Sequence, residues 1–176
     1  MLSPHRKAIL GLGNLLYQDE GFGIHALRAI QEALPVLEDV EFVDGGVLGM
    51  NLLPLVEESS HLLVLDAIDA GQPPGTILEL KDEKIPLFTA ARLSEHQVGF
   101  QEVLGLARFR GNLPANLHLI GVQPQDLNSG IGLSQAVTSA LPEVVDRAMA
   151  TLKAWRLESA TSGVICRAPD PRPRYV

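Results

Sequence analysis

The chain alternates short apolar runs with segments whose apolar residues recur at helical spacing. Lys7 to Leu12 is an apolar run that feeds a glycine-rich stretch. Gly21 to Ala33 then carries Phe22, Ala26, Leu27, Ile30 and Ala33 at helical spacing, and Pro35 stops it. Val40 to Val43 predicts a second strand ended by Asp44-Gly45-Gly46, and Met50 to Glu58 a brief helix. His61 to Leu65 is apolar without alternation, the pattern of a strand covered on both faces, so it is expected at the centre of a sheet. Thr76 to Leu80 alternates, as a strand nearer an edge does. The loop before it is too short for a helical crossover, so it is expected to form an antiparallel pair with the preceding strand.

Lys81 to Ala91 is a polar connection without a clear element. Ser94 offers an N-cap for a helix holding Val98, Val103, Leu104 and Leu106. Asn116 to Ile120 predicts a last strand, followed by a long loop rich in glycine, proline and asparagine. A C-terminal helix is expected from Ser134 to about Trp155, bent near Pro142.

Strands alternating with helices imply an α/β fold: a three-layer α/β/α sandwich around a mostly parallel, twisted five-stranded sheet with one antiparallel strand. One domain is expected over residues 1–156. From residue 157 to 176 the composition turns to Ser, Pro and Arg with little to bury, which predicts a disordered tail. Right-handed crossovers place the loops after strands one, two, three and five on one edge of the sheet. Glu20, Asp44, Asp66 and Asp126 fall in or near those loops.

Composition narrows the field. With 176 residues the chain is long enough for a full core, and its net charge of -7 argues against a nucleic-acid partner. The single cysteine, Cys166, excludes an internal disulfide framework and any cysteine-rich metal site. No apolar run approaches the roughly 18 residues of a membrane span, and none of signal length precedes the first glycine turn. No membrane insertion and a cytoplasmic location are therefore expected.

Several chemistries fail on spacing. Gly11-Leu12-Gly13 sits where a dinucleotide fingerprint would begin, but Leu16 stands at its third glycine, and Asp19 and Glu20 would oppose a pyrophosphate. No glycine loop ends in Gly-Lys-Ser/Thr, no G-x-S-x-G elbow occurs, and no H-E-x-x-H helix is present. Glu20 directly precedes a helix start, where a carboxylate also simply complements the helix dipole. Asp66 leaves a buried strand, which is costly unless the chain emerges there or a cation is near. His96 lies in the first turn of its helix. Two carboxylates and one imidazole on a shared edge suit a borderline divalent ion with open coordination positions. Asp44 is a second candidate on the same edge, with a turn-forming role as the alternative.

At these residues the chain resembles the hydrogenase maturation proteases, endopeptidases that trim the C-terminal extension of the large subunit of nickel-iron hydrogenases. GLGNLLYQDEGFG is similar to the family's first signature, FVDGGVLGMNLLPLV to its second block and LLVLDAIDAGQPPGTI to its third. SEHQVGFQEVL resembles the histidine block, and LIGVQPQDLNSGIGLS the closing glycine-rich one. The resemblance runs from about residue 7 to 150 with the blocks in order. It implies an aspartic-type endopeptidase in which Glu20, Asp66 and His96 contact metal and take part in catalysis, with Asp44 in the second tier. It further implies that the metal is nickel already inserted in the partner, the large-subunit precursor, and that no tightly held metal resides in the free protein.

A monomer is expected from a transient, asymmetric complex of that kind. Leu15, Leu16, Val47, Leu48 and Met50 are candidates for a docking patch, or for ordinary core. His5, His25 and His118 read as structural or solvated. Two alternatives remain at this point: a non-catalytic, nickel-sensing chaperone of the immature large subunit, and a peptidyl-tRNA hydrolase. The second is opposed by Leu15 after G-L-G-N and by the negative charge.

Overall fold

The computed structural model describes residues 6–34, 39–82, 84–85 and 97–162. Five strands form one sheet: β1 (Arg6–Leu12), β2 (Glu41–Gly46), β3 (Ser59–Ala67), β4 (Ile77–Lys81) and β5 (Asn116–Val122), in the order β2-β1-β3-β5-β4. β1 runs parallel to β2 and β3, β3 parallel to β5, and β4 antiparallel to β5. Four helices are described: α1 (Phe22–Ala33), α2 (Leu53–Glu58), α3 (Gln97–Phe109) and α4 (Gln135–Ser162).

The unbroken apolar run of β3 reflects its two covered faces. Leu62 and Val64 join a core with Val56 of α2 and Val103 and Leu104 of α3. Leu63 and Leu65 point the other way, into a core with Phe22, Leu27 and Ile30 of α1 and Trp155 of α4. Leu62 to Leu65 are all fully buried, as a central strand between two helical layers requires.

The fourth strand corrects one expectation. It is antiparallel and at an edge, but its neighbour is β5, from Ile77 opposite Val122 to Lys81 opposite His118. The chain leaving β3 crosses the end of β5, with Ile68 packed in the space above Gly121 and its N–H donating to the Val122 carbonyl at 2.8 Å. Gln123 fastens the crossing. Its Oε1 accepts from Ala70 N–H at 2.8 Å and Gln72 N–H at 3.1 Å, while Nε2 donates to Asp69 Oδ1 at 3.0 Å.

The C-terminal helix also extends further than expected. α4 contains Pro142 and continues through Ser162, past the boundary placed after residue 156. Trp155 is buried, and its carbonyl accepts from Lys7 Nζ at 3.2 Å, which holds this part of the helix against β1. Among the described residues no helix is long and apolar enough to cross a membrane.

Strand order determines where the chemistry can sit. From β1 the chain moves to one side to form β2, then returns past β1 to form β3 on the other side. The connections leaving β1 and β3 therefore diverge at their carboxyl ends and open a crevice, the place where open α/β sheets bind ligands.

Candidate functional site

A cleft of about 400 Å³ opens at this divergence. Leu12, Gly13 and Glu20 line it from the end of β1, Gly46 and Val47 from the end of β2, and Asp66 and Ala67 from β3. Gly99 and Phe100 of α3 form another wall, and Pro124 and Leu127 close it from the loop after β5.

The glycines of the first signature place Glu20. Gly13 has φ of 126°, and a Cβ there would overlap the Glu20 backbone carbonyl oxygen, so the turn folds back directly onto the acidic pair. Gly23, in the first turn of α1, lies so close to the sheet that a Cβ would overlap the backbone of Leu12 and Leu65. A short 3-10 turn, Gln18–Gly21, bridges the two glycine contacts.

The adjacent acids have different environments. Asp19 is fully buried and accepts three backbone hydrogen bonds: Ser134 N–H at 2.6 Å on Oδ1, and Gln125 and Asp126 N–H at 2.8 and 2.9 Å on Oδ2. Two further bonds, Gln18 N–H to the Gly130 carbonyl and Gly130 N–H to the Leu16 carbonyl, both at 2.9 Å, zip the first loop to the last. Asp126 joins this clamp by accepting Gln18 Nε2 at 3.0 Å, and bonds from Asn128 hold its pKa below the usual carboxylate range. Asp19 is thus a structural fastener, whereas its neighbour Glu20 faces the cleft.

Asp66, the penultimate residue of β3, sits opposite Gly121 in the register. Burial pushes its carboxyl up to about 7, the Ala67 N–H partly opposes this, and the negative charge of Glu20 adds to the rise. The two carboxylates therefore share one electrostatic environment. Of the three side chains expected to converge, Glu20 and Asp66 line this one cleft.

His96 lies outside the described residues, as does Ser94; α3 begins at Gln97, and its Gly99 and Phe100 border the cleft. Among the described residues, no three His, Cys, Asp or Glu side chains are grouped to hold a metal ion. Glu20, in the turn after β1, and Asp66, near the end of β3, supply hard oxygen donors, a donor set that takes a divalent cation when further ligands are added.

Asp44 occupies a different position. Its Oδ1 accepts the Gly46 N–H at 3.2 Å, its Oδ2 lies 4.0 Å from Arg28, and it does not line the cleft. This is the turn-forming arrangement, and its cause is local: an Asp two residues before a glycine with φ of 44°. His118 is buried between Glu79 Oε1, 2.8 Å from Nε2, and Thr151 Oγ1, 3.0 Å from Nδ1, the structural role expected of it. Burial, then the Arg28 charge, lowers the pKa of His25 on α1. His5 and Cys166 lie outside the described residues.

The apolar loop residues divide. Leu16, Val47, Leu48 and Met50 are exposed, Val47 within the cleft lining, while Leu15 is half-buried. Sequence reasoning did not single out the Asp19 clamp, Gln123, or Leu127 and Ile131, which extend the exposed apolar surface to the last loop. One signal was available for the clamp: a long loop following a strand exposes many amides, and those it buries need acceptors.

Comparison with known proteins gives a consistent result. Residues 24–151 match the HycI family of hydrogenase maturation proteases. The chain is 43% identical over 152 residues to the hydrogenase expression/formation protein HupD of Rhizobium leguminosarum bv. viciae, spanning 85% of this chain and 75% of that protein. It is 35% identical over 155 residues to the hydrogenase 2 maturation protease of Escherichia coli (strain K12), spanning 88% and 94%. The structure of the hydrogenase maturating endopeptidase HybD from E. coli superposes with a TM-score of 0.80 at 35% identity, covering 85% of this chain and 93% of that one. With the order of strands, the paired acids and these likenesses in agreement, the chain belongs to the hydrogenase maturation protease family.

Proposed function

We propose that the protein is an endopeptidase that removes the C-terminal extension of a nickel-iron hydrogenase large-subunit precursor once nickel has been inserted. The observation that carries this reading is the convergence of Glu20 and Asp66 on one cleft at the divergence of β1 and β3. Nickel enters as part of the substrate. Glu20, Asp66 and His96 grip the guest ion, and the precursor supplies its remaining ligands, so loaded and empty precursors bind differently.

Docking of the ion holds the scissile bond beside the carboxylates. In the metal-free cleft the Asp66 carboxyl is pushed up to about 7 by burial, and docking of the ion displaces its proton. A carboxylate oxygen of the pair turned away from the ion then takes the proton of the attacking water and returns it to the leaving amine. The cleft walls formed by Phe100, Pro124 and Leu127 shield that transfer from bulk water. In this reading nickel is a recognition signal, and the carboxylates make the aspartic-type chemistry.

Intact-mass measurement of the precursor before and after incubation tests the reading. Wild-type protein is expected to shorten the nickel-loaded precursor and leave the nickel-free precursor whole. Glu20→Gln, Asp66→Asn and His96→Ala should each reduce the rate by about a hundredfold or more. Full activity in all three variants would end the proposal, and binding without any shortening would favour a nickel-sensing chaperone.

A further inference from the structure

Exposed large hydrophobic side chains are concentrated on three loops around the cleft. Leu16 and Tyr17 project from the first loop, at 64% and 38% exposure. Val47, Leu48 and Met50 follow β2, and Leu127 and Ile131 belong to the loop after β5, the last with 89% of its surface exposed. Tyr17, Val47 and Leu127 also line the cleft, so the apolar surface is continuous with the wall that holds Glu20 and Asp66.

These loops are fastened. The three bonds to Asp19 and the Tyr17–Gly130 bridge connect the first loop to the last, and Gly13 N–H donates to the Gly46 carbonyl at 3.0 Å to connect the first to the second. Apolar side chains held outward on tied loops form a preorganised surface, whose ordering cost is already met before a partner arrives. An apolar rim around an acidic floor is complementary to a protein surface whose apolar face borders a cationic centre.

We propose that this three-loop apolar collar is the docking surface for the large-subunit precursor, which meets it with an apolar face bordering its bound cation. The inference rests on the reading of that precursor as substrate. Collar contacts supply affinity away from the reacting bond, and the acidic floor discriminates the loaded state. The two contributions are separable because Leu16, Leu48 and Ile131 lie off the cleft lining.

The test measures the dissociation constant of nickel-loaded precursor and its cleavage, in parallel, for wild type, the double variant Leu16→Ser/Ile131→Ser and the off-collar control Phe109→Ser. Phe109 is 88% exposed at the end of α3. The collar variant should melt as wild type does, bind about tenfold or more weakly, raise KM in proportion and keep kcat within about twofold, while Phe109→Ser changes neither constant. Equal affinity in wild type and collar variant would overturn the proposal. So would sedimentation of the wild type as a dimer that Ile131→Ser dissociates, since a second copy would then occupy the face. Collar-dependent binding by a wild type that leaves the precursor at full mass supports docking and ends the cleavage reading separately.

Discussion

The carboxylate of Asp19 accepts the Ser134 amide at 2.6 Å across 115 positions of sequence, and it ties the loop that carries Glu20 to the loop that closes the cleft. Asp19→Ala leaves three backbone N–H groups without this acceptor in a fully buried place. A loss of about 3–4 kcal/mol is expected in urea unfolding, and about 2 kcal/mol for Asp19→Asn, which keeps one acceptor but no charge. A loss below about 1 kcal/mol for the alanine variant would contradict the clamp.

Asp66 imposes a definite sign on pH dependence. Its pKa is raised from 3.8 to about 7 in the folded chain, chiefly by burial, so between those values the folded state binds more protons than the unfolded one. This contribution to stability is full at low pH and is lost as pH rises through the window toward 7. Asp66→Asn removes the titration. Without metal, the variant should gain about 2 kcal/mol relative to wild type between pH 5 and 8. Chemical denaturation at both pH values reads this directly, and a pH-independent difference would refute the raised pKa.

Two glycines separate packing from propensity. Gly23→Ala places a methyl group against the backbone of Leu12 and Leu65, atoms that belong to two strands and do not move independently. A cost of about 3 kcal/mol or more follows. Gly105, inside α3, has nothing within 4 Å of its added Cβ, so Gly105→Ala should stabilise by about 0.5–1 kcal/mol. Thermal melts of the two variants should move in opposite directions.

Gln123 is expected to matter for the loop that takes the chain from β3 to β4. Gln123→Leu keeps its bulk but withdraws the acceptor from the amides of Ala70 and Gln72. Stability should fall by about 1–3 kcal/mol, with faster hydrogen exchange at those two amides. Unchanged exchange there would show that the loop is held by its backbone contacts alone.

Elements with a strong local pattern were legible before any coordinates. The unbroken apolar run of β3 gave a central strand, and the helical spacing of Phe22, Ala26, Leu27 and Ile30 gave the face of α1 that packs on the sheet. The partner of β4 was not legible, because the crossing depends on the missing side chain of Gly121, which makes room for Ile68 from 53 positions earlier, and nothing local in the sequence marks that pair. The site divided similarly. Glu20 and Asp66 were singled out because both lie at the carboxyl ends of strands on one edge, and both line the cleft, whereas Asp44 shares that placement and makes a local turn. Asp19 beside Glu20 has the same chemistry in sequence and the opposite role in the fold, because only its burial against the last loop distinguishes them.

The central claim is that side chains scattered through sequence share one guest ion, and anomalous diffraction from crystals soaked in nickel or cadmium tests it most directly. The account predicts a single strong peak in the cleft, within coordination distance of Glu20, Asp66 and His96. A peak elsewhere with that cleft vacant, or carboxylates set too far apart for one ion to touch both, would contradict it.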